Sequence, residues 1–279
     1  MKWILTFNEA QKILKAKEGP LTLSLDLGLS TATIEKSKTN VKIGDQTIPL
    51  KAFTKVKETF CYAVEDHQLK KVALFSEDTN LYYKLLPTSD WPTITLSSTP
   101  MHRHTHFSPA QDTKLKIKEI APIKGKVLDT CCGLGYTAIL AVKYADDVYT
   151  FEVDKNVLLV ASYNPYSQEL WANKKIHLTE GKDNAEAILD FSDSFFDRII
   201  HDPPTFVRAP QLYHLDFYKQ LFRVLKKGGL LYHYAPAPGK TKDARGREFH
   251  KQIIKGLKDA GFMGVEYHQE SSGVVGRKP

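Results

Sequence analysis

Apolar and polar residues alternate in short runs over the first hundred positions, which predicts a mainly β N-terminal third. One helix is expected over residues 8–18, and Gly19-Pro20 should end it. Strand-like runs follow at residues 21–25, 32–34, 41–43, 46–50, 71–75, 81–86 and 94–96. We therefore predict a small β-rich domain over residues 1–100.

The pattern changes at Ser108-Pro109, where a helix should begin and run to about Ile120. Strands are then predicted near residues 126–130, 147–153, 175–179, 196–202, 229–235, 262–268 and 273–277. Helices should separate most of them, one of them ending at 225–227 before Gly228-Gly229. Such alternation is typical of a doubly wound parallel sheet, and the short last connection predicts an antiparallel pair at one edge.

Composition and charge narrow the class of protein. The 279 residues are 42% hydrophobic, which is ordinary for a soluble globular protein. No apolar run has membrane-spanning length and the start lacks a signal peptide's apolar core, so we expect a cytoplasmic protein without membrane contact. The net charge of +7 favours an anionic partner such as nucleic acid, although a lysine-rich surface alone would give it. The three cysteines include no CxxC spacing, so neither a disulfide framework nor a cysteine zinc site is expected.

A glycine turn follows the strand predicted at 126–130. Gly133 and Gly135 open the next predicted helix, an arrangement that lets the backbone approach a nucleotide. With Glu152 roughly 20 residues further on, the turn loosely matches a dinucleotide site. However, Asp129 stands four residues before the first glycine and would crowd a pyrophosphate. It suits a cationic ligand such as S-adenosylmethionine, which has an ammonium, a sulfonium and no phosphate.

Acidic residues near the ends of three successive predicted strands, Asp129, Glu152 and Asp183, form an ordered set with the glycine turn. In this set, residues 108–279 resemble the class I S-adenosylmethionine-dependent methyltransferases. The resemblance implies a Rossmann-like domain over 101–279, with a seven-stranded, mostly parallel sheet. It also implies a cofactor site in which the first loop wraps the methionyl part, a strand-end acid accepts from the ribose hydroxyls, and a third station contacts adenine. The residues that match these stations are Asp129, Cys131, Gly133 and Gly135, then Glu152 with Val153, then Asp183 with Asn184. Cys131 stands where many members of the family have another glycine.

A second motif, Asp202-Pro203-Pro204, follows the apolar strand predicted at 196–202. The prolines stiffen the backbone and remove two N–H donors, so carbonyl oxygens dominate locally. The segment resembles the (Asp/Asn)-Pro-Pro-aromatic motif of amino-methyltransferases. That resemblance implies that Asp202 and a proline carbonyl orient a target amine for in-line methyl transfer, without a metal. In the family, the aromatic residue stacks on the target ring. Here Thr205 occupies that position and Phe206 follows it, so stacking by Phe206 would depart from the motif. A non-planar amine therefore also stays open as the substrate.

Two further segments could contact substrate. His102, His104 and His106 alternate, so on a strand they would share one face. They could be metal ligands, a wall over the cofactor pocket or an anion contact, or part of a plain linker between the domains. A basic segment over residues 239–251 follows the fifth predicted strand of the second domain. It suits phosphate contacts, unless it is simply a solvated helix face. The candidate RNA contacts are His104, His106, Arg208, Lys240, Arg245 and Arg247.

Together these patterns favour an S-adenosylmethionine-dependent N-methyltransferase acting on an exocyclic base amine, such as cytosine N4, in ribosomal or transfer RNA. The domain arrangement is similar to that of archaeal RNA methyltransferases, in particular the ribosomal-RNA cytosine N4 type. One alternative is a spermidine-synthase-like aminopropyltransferase, or a methyltransferase for a small-molecule or protein amine. Another is a non-catalytic nucleic-acid-binding module, which the set Asp129, Glu152, Asp183 and Asp202 argues against.

Overall fold

The computed structural model describes residues 2–238 and 248–279. The predicted RNA contacts Lys240, Arg245 and Arg247 lie outside the described residues. The chain divides into two compact units, Met1–Ala110 with Asn156–Gln168 and Gln111–Lys155 with Glu169–Pro279. No helix among the described residues is both long enough and apolar enough to cross a membrane.

The first unit is mainly β, as predicted. Its strands are β1 Trp3–Leu5, β2 Gly19–Leu23, β3 Ala32–Lys36, β4 Asn40–Ile43, β5 Gln46–Pro49, β6 Tyr62–Glu65, β7 Gln68–Lys71, β8 Ala73–Ser76, β9 Leu81–Leu86, β10 Thr93–Leu96 and β11 Thr99–Pro100. They form antiparallel sheets in the orders β1-β6-β7, β2-β3-β4-β5 and β11-β10-β9-β8.

Two short helices accompany these sheets, α1 Phe7–Lys15 and α2 Leu50–Phe53. Helix α1 begins at a capping box in which Thr6 and Glu9 satisfy each other's backbone N–H groups. The helix was predicted to run to residue 18, but it ends at Lys15 because Ala16 is already extended. Gly19 then starts β2 instead of ending the helix.

The second unit alternates strands and helices. Its elements and those that border it are α3 Pro109–Glu119, β12 Lys126–Asp129, α4 Tyr136–Ala141, β13 Asp147–Glu152, α5 Lys155–Ala161, α6 Glu169–Ala172, β14 Ile176–Glu180, α7 Asn184–Ala187, β15 Phe196–His201, α8 Leu215–Val224, β16 Leu225–Tyr234, α9 Phe249–Asp259, β17 Met263–His268 and β18 Gly273–Arg277. All but the first residue of α5 belong to the first unit.

The strands of the second unit form one sheet in the order β14-β13-β12-β15-β16-β18-β17. The pairs from β14 to β16 are parallel, and β18 is antiparallel to both of its neighbours. The sheet is packed on both faces, one apolar cluster including Phe196, Ile199 and Leu221 and the other including Val127, Val148 and Ile200. The predicted seven-stranded, mostly parallel sheet with an antiparallel edge pair is confirmed.

The predicted helix end at Gly228-Gly229 is wrong. Helix α8 ends at Val224, and Leu225 is already extended and pairs with Phe196 across β15 and β16. Leu225 is fully buried, so its position in the sheet outweighs the glycine signal. Gly228, with φ +76°, lies inside β16 near a register shift. By contrast, Gly261 follows α9 with φ +107°, as predicted.

The strand order changes direction at β12, which predicts a crevice beyond the carboxyl end of this strand. The chain passes from β12 to β13 and β14 on one side and returns to β15 on the other. In doubly wound sheets, ligands bind at such a switch point, beyond the carboxyl ends of the strands. The loops that leave β12 and β15 are those that contain the glycine turn and Asp202-Pro203-Pro204.

Candidate functional site

The parallel register brings acidic strand ends together at one edge of the sheet. Asp129, the last residue of β12, pairs with Thr150 of β13 on one side and Ile200 of β15 on the other. Glu152 ends β13 in the same direction. Asp202 lies two residues beyond Ile200, so the structure brings this carboxyl group to the same edge.

The carboxyl group of Asp129 is fully buried. Its Oδ2 accepts hydrogen bonds from the hydroxyls of Thr137 (2.8 Å) and Thr150 (3.2 Å). Its Oδ1 has no hydrogen-bond partner among the described residues. Burial, aided by the charge of Asp202, raises the pKa of Asp129 to about 7, although the threonine hydrogen bonds oppose the rise. A buried oxygen of this kind favours a cationic or N–H-bearing ligand.

The glycine turn folds over the end of β13. Gly133 and Gly135 both have positive φ, +55° and +79°, which glycine adopts without strain. A Cβ at Gly135 would lie 2.4 Å from the Leu170 side chain. The Gly133 N–H donates to Glu152 Oε2 (2.8 Å), and the Asp154 N–H donates to Oε1 (3.0 Å). Burial raises the pKa of Glu152 to about 7 despite these bonds.

The third predicted station follows β14. Asp183 caps α7 by accepting from the Ala185 N–H (2.8 Å), and its other oxygen accepts from Gln211 (3.1 Å). Asn184 donates to the Thr130 carbonyl (2.6 Å) and to Cys131 Sγ (3.2 Å). These contacts join the third station to the loop after β12.

An acceptor atom and an apolar surface remain available near these stations. The buried Asn184 Oδ1 has no hydrogen-bond partner in the part of the chain that the structure describes. Val153, next to Glu152, is 52% exposed. Asn184 Oδ1 could accept a hydrogen bond from an N–H donor, and Val153 could contact a flat apolar ring.

Lys116 is a site residue that sequence reasoning missed. Its side chain is 3% exposed, and Nζ lies 2.6 Å from Asp202 Oδ2 and 2.9 Å from Asp112 Oδ2. Burial opposes the charge of Lys116, but Asp202 and Asp112 outweigh burial and raise its pKa. The lysine therefore stays protonated beside Asp202. The i, i+4 spacing of Asp112 and Lys116 was a signal for their pairing, but not for Asp202.

Aromatic rings flank the loop that Asp202 begins. Phe206 is 44% exposed, and its ring centroid lies 5.7 Å from that of Tyr213 and 5.8 Å from that of Phe249, both edge-to-face. The Tyr213 hydroxyl donates to the Pro204 carbonyl (2.8 Å), which fixes the loop. Pro203 is buried, whereas Arg208 is exposed. No sequence pattern indicated a role for Tyr213 or Phe249.

The alternating histidines do not lie on a strand, so strand alternation does not place them on one face. Residues 101–107 form neither helix nor strand and lie between β11 and α3. His102 Nδ1 lies 2.9 Å from Thr93 Oγ1, His104 is half-buried and His106 is exposed. Among the described residues no group of three or more His, Cys, Asp or Glu side chains could hold a metal ion. The role of His104 and His106 in contacting RNA remains a prediction.

Comparison with known proteins finds both a relative and structural neighbours, but no family model matches. "Uncharacterized protein MJ1233" of Methanocaldococcus jannaschii is 39% identical over 283 residues, which cover 99% of this chain and 95% of that protein. A spermidine synthase in complex with the transition state analogue AdoDATO has a TM-score of 0.55 at 15% identity, covering 74% of this chain and 71% of that chain. The spermidine synthase of Thermotoga maritima gives 0.54 at 16%, covering 73% and 69%. The predicted Rossmann-like methyltransferase fold is thus confirmed.

The buried acids predict how stability depends on pH. The pKa of Asp129 rises from 3.8 to about 7 on folding, so the folded chain retains a proton that the unfolded chain loses. The free energy of unfolding should therefore fall as pH rises from about 4 to 7, by up to roughly 1.4 kcal/mol per pH unit for this group. Urea unfolding of Asp129→Asn should show a flatter decline, and the exposed Asp146→Asn should behave as wild type. Equal slopes for wild type and Asp129→Asn would contradict this account.

Replacement of Lys116 by methionine should be strongly destabilising. Lys116→Met leaves the carboxylates of Asp112 and Asp202 without their shared cation, a loss of about 3–5 kcal/mol for a buried pair. Lys118→Met, at an exposed position of the same helix, should change stability by less than about 0.5 kcal/mol. Urea unfolding at pH 7 compares the two variants. Similar losses would show that the Lys116 ion pairs contribute no more than a surface charge.

Proposed function

The chain belongs to the same family as the Methanocaldococcus jannaschii protein MJ1233, and we propose that it is an S-adenosylmethionine-dependent methyltransferase whose acceptor is the exocyclic amine of an RNA base. The observation that carries this proposal is the pairing of two different acidic sites at one switch point. Asp129 is a buried acid with an unsatisfied oxygen, and Asp202 is an acid already neutralised by Lys116.

The residues present fit the methyl donor. S-adenosylmethionine carries an ammonium, a ribose diol and an adenine amine, each of which needs an acceptor. Asp129 would hold the ammonium, and Glu152 would accept from the ribose hydroxyls. Asn184 Oδ1, which has no hydrogen-bond partner among the described residues, would accept from the adenine amine. Val153 offers an apolar surface to the adenine ring. When bound, the cofactor supplies an electrophilic methyl group.

Asp202 is proposed to orient the acceptor amine. Its side chain is 23% exposed, and the bond from Lys116 keeps the carboxylate in one orientation. A carboxylate accepts hydrogen bonds from an amine's N–H groups, and together with the Pro203 carbonyl it would aim the nitrogen lone pair. The Pro204 carbonyl already accepts from Tyr213. Transfer of this kind depends on positioning and electrostatics, and needs no group of the protein to form a covalent bond.

Three features support RNA as the substrate. The chain has a net charge of +7, which favours a polyanion. Phe206 presents an exposed ring in the loop after β15, residues 202–209, which we call the acceptor loop. Aromatic rings stack on unpaired bases. Arg208, two residues on, is exposed and suits a phosphate. Cytosine N4 is the amine that the sequence resemblance favours.

An aminopropyltransferase is the second candidate. The fold likeness to spermidine synthases favours it, because such enzymes use the decarboxylated form of the same cofactor. Lys116 argues against it, since its ammonium already occupies the Asp202 carboxylate that a polycationic acceptor would need. A neutral conjugated amine meets no such repulsion.

Nucleoside mass spectrometry of RNA from a deletion strain tests the proposal. We expect one methylated nucleoside, an N4-methylated cytidine or a methylated adenosine, to disappear and to return with the wild-type gene. Asp202→Asn should bind S-adenosylmethionine yet fail to restore the nucleoside, and Asp216→Asn, an exposed acid in the same unit, should restore it. An unchanged nucleoside profile would overturn RNA as the substrate, and restoration by Asp202→Asn would overturn the role of Asp202.

A further inference from the structure

A fully buried histidine lies immediately before Asp202. The Nδ1 atom of His201 is 2.7 Å from the Thr130 hydroxyl, and its Nε2 atom is 3.0 Å from the Leu212 carbonyl oxygen. Neither contact was predicted from the sequence, because the three residues are separated by 71 and 11 positions along the chain. Both ring nitrogens are therefore engaged in hydrogen bonds.

The partners determine the tautomer of His201. A carbonyl oxygen can only accept, so Nε2 carries the proton and donates it to Leu212. Nδ1 is then the acceptor, and the Thr130 hydroxyl donates to it. Burial, with the neighbouring His233, lowers the pKa of His201 well below its usual value, so the ring stays neutral.

Neutral groups surround the His201 ring. The ring of His233, on the paired strand β16, lies 4.4 Å away, and its own pKa is lowered by burial. His233 Nδ1 donates to the Tyr234 carbonyl (2.6 Å) and Nε2 accepts from Tyr218 (3.0 Å). Burial raises the pKa of Tyr213, whose ring also faces His201, so this phenol too stays uncharged.

The two partners of His201 belong to different segments of the site. Thr130 follows Asp129, and its carbonyl accepts from Asn184. It lies in the loop after β12, residues 130–135, which we call the cofactor loop. Leu212 precedes Tyr213, which holds the Pro204 carbonyl in the acceptor loop. One rigid ring thus connects the loop after β12 to the segment that shapes the loop after β15.

We propose that His201 is a positioning residue that fixes the distance between the cofactor loop and the acceptor loop, so that the donor methyl and the target amine are held in line. This role rests on the proposed function. A misplacement of about 1 Å is enough to slow an in-line transfer roughly 100-fold, so the connection matters for turnover more than for binding of either substrate.

Two substitutions break the connection on one side each. Thr130→Val removes the hydroxyl and keeps the shape of the side chain. His201→Asn retains an acceptor near the Nδ1 position but cannot reach Leu212. In each we expect kcat to fall at least ~10-fold while the Kd for S-adenosylmethionine changes less than ~3-fold. The double variant should be no slower than the slower single variant, because the connection is already broken. His177→Asn, at an exposed histidine, should keep wild-type kcat.

NMR spectroscopy of the full chain tests the connection without any activity. The ¹⁵N shifts of the His201 ring should show an Nε2–H tautomer that does not titrate between pH 5 and 8. His201→Asn should speed amide exchange at least ~10-fold at Arg208, Ala209 and Leu212, whose N–H groups are hydrogen-bonded, whereas His177→Asn should not. An Nδ1–H tautomer, a ring titrating near its ordinary pKa, or unchanged exchange would overturn the inference. So would wild-type kcat in folded Thr130→Val. Absence of methylation by the wild type, with the NMR results as expected, would instead overturn the proposed function.

Discussion

The site depends on the burial of a carboxyl group at the end of a central strand. Asp129 lies between Thr150 and Ile200 in a parallel sheet, with one oxygen satisfied by threonine hydroxyls and the other unsatisfied. Burial of an ionised acid without full compensation is unfavourable, which is why its pKa rises to about 7. A bound cation would remove this penalty. The protein therefore gives up some stability in its unliganded form at a position suited to a positively charged ligand.

The two sides of the crevice differ in charge compensation. At the end of β12, Asp129 has hydroxyl partners and its surroundings oppose ionisation. After β15, Asp202 is contacted by Lys116, which also contacts Asp112. A cation is thus attracted to the first acid and gains less from the second. In the proposed function, this separation lets one site bind a cationic donor and a neutral acceptor, and it disfavours a polyamine as the acceptor.

The sequence predicted the parts of this site that depend on local order along the chain. The acids that end two strands, Asp129 and Glu152, and the prolines after β15 are local patterns. The parallel sheet then brings them to one edge. Lys116 could not be predicted in the same way, because it reaches Asp202 only through the packing of α3, 86 residues away in sequence. The misplaced helix end at Gly228 has a similar origin, since the pairing of Leu225 with Phe196 is a long-range contact.

Calorimetric titration of the chain with S-adenosylmethionine, in two buffers of different ionisation enthalpy, tests the central claim most directly. Asp129, with a pKa of about 7, is partly protonated near neutral pH, and a bound cation favours its ionised form. We therefore predict binding that strengthens from pH 6 to 8 and releases protons, with weaker binding and less proton release in Asp129→Asn. No binding, or binding by Asp129→Asn with wild-type affinity and proton release, would contradict the account.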